Sequence, residues 1–344
     1  MKKCLAIWLG ACILLAALGG CVQNNADSAG ADDKISVVTT IFAPYDFARE
    51  VAGAHAEVTM LLPPGSESHS FDLTPQDVIK IQNCDVFIYV GGDSDAWVDR
   101  VLASVDTDKM RIITLMDCVE VVAEEIVEGM EHDHDHDDHD HDDHNHYDDH
   151  DHNSHDGHGE YDEHHNDVRG YDEHVWTSPK NAKLIVQKIA DVLCEADAAN
   201  GDAYRENTAA YLAKLDELDA KFQAIVDSAV RRTLVFGDRF PFRYFADAYG
   251  LSYFAAFPGC STKTGASNAT IIFLIEKVKA EGIPVVFHVE LSNQEMANTI
   301  SEATGAEVLL FHACHNVTRD EIRAGVSYLE LMHQNAENLK EALQ

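Results

Sequence analysis

Residues 202–230 read DAYRENTAAYLAKLDELDAKFQAIVDSAV, 29 residues without a proline or glycine. Tyr204, Ala209, Leu212, Leu215, Leu218, Phe222, Ile225 and Val226 recur every three to four positions. That spacing predicts one helix with a single apolar stripe. At 1.5 Å per residue such a helix is about 40 Å long, enough to span a whole domain. On both sides of it the chain alternates β-branched runs with helical patterns. Strands are predicted at 35–40, 57–62, 85–90 and 111–115 before it, and at 233–236, 252–257, 284–289 and 307–311 after it. Helices are predicted at 44–51, 74–81, 97–105 and 180–195, then at 244–249, 269–280, 294–304 and 321–343. Thr74 and Pro75 read as the cap and first turn of one of these. Alternation of this kind predicts α/β architecture: two parallel-sheet lobes joined by a long rigid helix.

The N-terminus predicts processing. Lys2 and Lys3 precede an apolar run at 5–18, too short to span a bilayer comfortably, which ends in Leu18-Gly19-Gly20-Cys21. That is a lipobox: cleavage before Cys21 and lipid on its sulfur, which anchors the chain outside the cytoplasmic membrane. The expected organisation is a signal peptide at 1–20 and a flexible tether at 21–33. An N-terminal lobe follows at 34–178, a helical region at 179–230, and a C-terminal lobe at 231–344.

The net charge of −35 repels nucleic acid and attracts cations. Residues 131–165 hold fifteen Asp/Glu, no Lys or Arg, and thirteen of the 20 histidines, including His132, His134, His136, His139, His141, His144 and His146. Such a tract cannot bury apolar area, so disorder without metal is expected, with loose binding of many divalent ions.

Seven histidines remain outside the tract. His69 follows the breaker Pro63-Pro64-Gly65, His174 sits in a loop before a helix, and His312 follows the last predicted strand. Ligands of open parallel sheets sit at strand carboxyl ends. His69 and His312 fit that place, so the two halves can share one ion. Three imidazoles suit Zn²⁺. The bland alternatives are a loop histidine at 69, a turn hydrogen bond at 174, and a strand-end cap at 312 or 315. His288, inside an apolar strand, reads as a satisfied core histidine. No nucleophile elbow or phosphate-cradling loop is present, and no enzyme is expected.

Pro63-Pro64-Gly65-Ser66-Glu67-Ser68-His69-Ser70-Phe71-Asp72 and Asp172-Glu173-His174-Val175-Trp176-Thr177-Ser178-Pro179 carry a resemblance. The chain resembles the zinc- and manganese-binding receptors of ABC importers, the ZnuA/TroA-like proteins, over nearly all of its length from residue 34. The resemblance implies a first ligand at His69 and a second at His174. It also implies an acidic His tract just before the second box and a backbone helix between the lobes. Where the family places its third ligand the chain reads Phe236-Gly237-Asp238-Arg239-Phe240. Asp238 is a candidate there, unless it pairs with Arg239. His312 falls at the family's fourth position, which keeps a three-His site. Glu290 is a fourth ligand or a partner that orients a histidine.

The resemblance therefore implies Zn²⁺ ahead of Mn²⁺, a monomeric receptor, and a permease with its ATPase as partners. The rivals are a manganese receptor, a zinc-storage or adhesin surface lipoprotein, and a secreted zinc hydrolase. Cys260 and Cys314 each follow a predicted strand and are candidates for a disulfide tying two site loops together. The alternative is that Cys314 is a free thiol or a soft ligand.

Overall fold

The computed structural model describes residues 34–67, 71, 73–130, 170–261 and 265–344. His69, Cys21 and the tract at 131–165 lie outside the described residues. Ile35–Gln344 forms one compact unit. No helix among the described residues is long and apolar enough to cross a membrane.

The N-terminal half builds β1 (Ile35–Thr39), α1 (Phe42–Ala52), β2 (Ala56–Met60), α2 (Pro75–Gln82), β3 (Val86–Tyr89), α3 (Ala96–Leu102) and β4 (Arg111–Thr114). Its strands are all parallel, in the order β2-β1-β3-β4. The connections run one way from β1 to β2 and the other way to β3. That reversal opens a crevice at the carboxyl ends of the strands. Thr74 starts α2 with a full capping box, its hydroxyl accepting from the Asp77 amide.

Two helices follow, α4 (Pro179–Ala196) and α5 (Gly201–Asp227). The long helix buries Tyr204, Thr208, Tyr211, Leu215, Leu218, Phe222 and Val226, one face at a three-to-four spacing. It is tied to both halves. Asn207 Nδ2 donates to the Val51 carbonyl (3.0 Å) in α1, and Asp219 accepts from the Tyr249 hydroxyl (2.7 Å).

The C-terminal half repeats the plan. It runs β5 (Thr233–Phe240), α6 (Arg243–Tyr249), β6 (Ser252–Pro258), α7 (Asn268–Glu281), β7 (Val285–His288), α8 (Glu295–Thr304), β8 (Glu307–Leu310), α9 (Arg319–Ala324) and α10 (Tyr328–Leu343). The sheet is again parallel, in the order β6-β5-β7-β8. The fold is thus the expected pair of parallel-sheet α/β lobes with a long helix between them.

Two elements depart from the sequence reading. β5 does not stop at Phe236 but continues through an irregular register between Phe236 and Arg239. Gly237 sits in that irregularity, where a Cβ would lie 2.5 Å from Ala297 Cα in α8. The single terminal helix expected at 321–343 is two. Gly325 ends α9 in the left-handed conformation (φ 76°), and Ser327 starts α10 with a capping box to Glu330.

Candidate metal site

The site grows from the carboxyl ends of the strands of both lobes. His174 follows β4 in the chain and precedes a short 3-10 turn, Val175–Thr177, that leads into α4. Its ring is fully buried. Asp172 Oδ1 accepts from the His174 amide (2.8 Å) and lies 2.9 Å from His174 Nδ1. An ionised carboxylate only accepts, so it puts the ring proton on Nδ1 and the lone pair on Nε2. A carboxylate that holds the second nitrogen of a histidine is the usual support of a metal-binding imidazole. Burial disfavours the imidazolium, but Asp172, then Glu173 and Glu124, outweigh it and hold the His174 pKa above the ordinary imidazole value.

The box holding His174 is pinned on both sides. Tyr244 donates its hydroxyl to the Asp172 carbonyl (2.7 Å). Glu173 accepts from the Ser94 amide (2.8 Å) and packs so tightly on Gly92 that a Cβ there would meet its side chain at 2.5 Å. From the C-terminal lobe Gly259 reaches the His174 ring. A Cβ at Gly259 would stand 2.9 Å from Cε1. The histidine of the first half is therefore seated on the backbone of the second.

The imidazole that the structure brings to His174 is His315. Their ring centroids are 4.7 Å apart, edge to face, and Trp176 flanks His315 at 4.8 Å. His315 lines a cleft together with Ser66, Glu67, Asp238, Arg239 and Glu290. It gets there because Cys314 adopts a left-handed backbone (φ 59°), which turns the chain after β8. Non-glycine residues with φ > 0 are uncommon, and such strain gathers at functional sites. Leu291 (φ 60°) and Gln294 (φ 61°), in the loop after β7, share it.

His312 is buried on the segment after β8. Its amide donates to Asn335 Oδ1 (2.7 Å), and its carbonyl accepts from Asn335 Nδ2 (2.8 Å). Its Nδ1 accepts the Cys314 amide (2.9 Å), which places the ring proton of a neutral imidazole on Nε2. The buried Nε2 has no hydrogen-bond partner among the described residues.

The two carboxylates are also engaged. Glu290 accepts from the Ala313 amide (2.6 Å) through one oxygen and from the His315 amide (3.0 Å) through the other. Asp238 accepts from the Arg239 amide (2.8 Å) and the Val289 amide (3.2 Å). Arg239 pairs with Glu67 (2.7 Å) and not with Asp238. Among the described residues no three His, Cys, Asp or Glu side chains gather to hold an ion.

All five cysteines among the described residues are thiols. The expected Cys260–Cys314 bridge is not formed, because the two face different surroundings. Cys260 lies beside Glu173, Glu124 and Asp172, and its amide donates to Glu124 (3.0 Å). Cys314 is packed in the main core that includes Tyr211 and Tyr328. Burial pushes both thiols up, reinforced by these acids at Cys260 and by Glu290, Asp46 and Glu321 at Cys314, which disfavours a thiolate ligand. His288 is half-buried, its Nδ1 2.9 Å from the Val289 carbonyl, as a satisfied histidine would be.

A family model described as zinc-uptake complex component A, periplasmic, matches residues 37–342. The chain belongs to the ZnuA family. Members of the ZnuA family are binding components of uptake systems, not enzymes. Zinc-binding protein AdcA of Streptococcus pyogenes serotype M3 is 30% identical over 311 residues, which cover 90% of this chain and 56% of AdcA. The chain thus spans about half the length of that relative. The high-affinity zinc uptake system protein ZnuA of Bacillus subtilis is 27% identical over 337 residues, 97% of this chain and 96% of that protein. Among solved structures, the Zn(II)-bound ZnuA-like domain of Streptococcus pneumoniae AdcA superposes with a TM-score of 0.68. It is 26% identical, and the match covers 90% of this chain and 99% of that domain. The laminin-binding protein Lmb of Streptococcus agalactiae has a TM-score of 0.68 at 20% identity, over 90% of this chain and all of its own, and shares the fold.

Proposed function

We propose that this chain is the extracytoplasmic receptor that holds Zn²⁺ between its two lobes and delivers it to the permease of an ABC importer. The observation that carries the reading is the meeting of His174 and His315, one from each half, with Asp172 fixing the tautomer of the first. His69, from the loop after β2, completes a three-imidazole set. His312, Glu290 and Asp238 then hold the loops around the ion and do not bind it. Imidazole donors favour Zn²⁺, whereas Mn²⁺ prefers carboxylate and water. With Glu290 and Asp238 both accepting backbone amides, the donor set favours zinc. The similarity to the zinc-binding protein AdcA and the zinc uptake protein ZnuA supports the same cargo.

In this reading Cys21 carries the lipid that keeps the receptor at the outer face of the cytoplasmic membrane. The tract at 131–165 collects ions loosely and raises their local concentration. The lobes at 34–178 and 231–344 present the ion to the permease, whose ATPase drives import.

X-ray absorption of the zinc-loaded chain tests the donor set. A shell of imidazole nitrogens at about 2.0–2.1 Å is expected. A sulfur shell near 2.3 Å, or no tight zinc at all, rejects the reading.

A further inference from the structure

Two backbone segments, one from each lobe, meet at the His174 ring. Residues 170–172 run antiparallel to 122–124. The Glu124 amide donates to the Gly170 carbonyl and the Asp172 amide to the Val122 carbonyl, both at 2.9 Å, around a bridge between Ala123 and Tyr171. Tyr244 closes this ribbon from α6, its hydroxyl accepting the Val122 amide (3.3 Å) and donating to the Asp172 carbonyl. The ribbon thus fixes the backbone two residues before His174. Against the ring itself stands the turn after β6. The Ser261 amide closes it on the Pro258 carbonyl (3.3 Å), and Gly259 touches the imidazole.

Glu124 joins the two. Its backbone belongs to the ribbon, and its Oε1 accepts the Cys260 amide (3.0 Å), one residue past Gly259. It is half-buried. A backbone amide held by a carboxylate is among the stronger hydrogen bonds. The same segment meets the C-terminal lobe again farther along. Glu125 pairs with Arg243 and accepts the Tyr253 hydroxyl (3.0 Å), and Glu128 lies 3.4 Å from Lys277. Glu128 is 72% exposed, and ion pairs that exposed contribute little.

We infer that Glu124 is a positioning residue for zinc: it holds the Gly259–Cys260 backbone on the His174 ring, so that the Nε2 lone pair stays directed at the ion. The inference rests on the receptor reading above and deepens it. Asp172 sets the tautomer of the ring, and Glu124 sets what the ring packs against. Glu124 also lends negative charge to His174, so reach and charge must be separated. Glutamine keeps the reach and an acceptor oxygen without the charge. Aspartate keeps the charge but is one methylene shorter.

The test is competition of the full chain with a chromophoric chelator for Zn²⁺, expressed per folded molecule, on the wild type, Glu124→Gln, Glu124→Asp and Glu128→Ala. Glu124→Gln is expected to bind zinc within about threefold of the wild type. Glu124→Asp is expected to bind about tenfold more weakly. Glu128→Ala is expected to change affinity less than about twofold. Weakening in Glu124→Gln with Glu124→Asp unaffected makes the role one of charge and overturns the inference. Unchanged affinity in both, equal weakening in both, or weakening in Glu128→Ala as large as in Glu124→Asp also overturns it. Each of these leaves the receptor reading intact, whereas a wild-type chain that holds no zinc removes both. If Glu124→Asp does not fold, amide exchange on the zinc-loaded wild type decides. The Cys260 amide is expected to be protected, and free exchange there overturns the inference.

Discussion

Asp172 meets His174 twice through one oxygen, at 2.8 Å from the backbone amide and 2.9 Å from Nδ1. The carboxylate aims the ring and sets its tautomer. It also stabilises the imidazolium, since Asp172 leads the acids that hold the His174 pKa up against burial.

The first consequence is for pH. A raised pKa means that the zinc-free fold gains most from His174 below the unfolded value. That gain is lost as pH rises through the folded value. Zinc bound at His174 would displace the same proton, so affinity is expected to fall as pH drops, beginning above the ordinary imidazole range. Asp172→Asn removes the leading acid. Its titration midpoint is expected to move to lower pH and its zinc affinity at pH 8 to fall by about 10- to 100-fold. Chelator competition between pH 5.5 and 8.5 checks both.

Asp46 is expected to cost stability at neutral pH. It is fully buried, and burial raises its pKa from 3.8 to about 6, although it accepts the Tyr328 amide (2.8 Å) at the start of α10. A raised carboxyl favours the folded state while protonated, and that advantage disappears as pH climbs from about 4 to about 6. Asp46→Asn keeps an acceptor for Tyr328 without the charge. It is expected to stabilise by up to about 3 kcal/mol at pH 7.5 and by little at pH 4. Urea unfolding at the two pH values decides, and equal effects at both would contradict the assignment.

Two glycines are expected to separate site from scaffold. An added methyl at Gly259 meets the His174 ring, whereas one at Gly237 meets the α8 backbone. Gly259→Ala is expected to weaken zinc binding by more than its loss of thermal stability implies. Gly237→Ala is expected to cost about 1–3 kcal/mol of folding free energy with little change in zinc affinity per folded molecule. Thermal melts and zinc titration of both variants check this.

Reduction is expected to leave the melting temperature unchanged, because all five described cysteines are thiols. A drop on adding reductant, measured by differential scanning calorimetry, would contradict this.

The lobes and the long helix were legible because their signals are local. Thr74-Pro75 caps a helix, the stripe from Tyr204 to Val226 repeats at helical spacing, and β-branched runs mark the strands. The break at Gly325 was missed because α9 and α10 continue one apolar rhythm across it. The same limit explains His315. The end of a strand is readable, and it points to His312, the second residue past β8. What brings His315 to His174 is the left-handed backbone of Cys314, and nothing local announces it in a residue other than glycine. Glu290 stabilises that turn from the loop after the neighbouring strand β7, through contacts 23 and 25 residues away. Such a partner is visible only once the sheet is assembled.

The central claim is that an imidazole from each half of the molecule binds one ion. Competition of the full chain with a chromophoric zinc chelator, run side by side on His174→Ala, His315→Ala and His312→Ala, addresses it directly. The tightest site is expected to vanish in the first two variants and to survive in the third. Loss of that site in His312→Ala with His315→Ala unaffected would contradict the account.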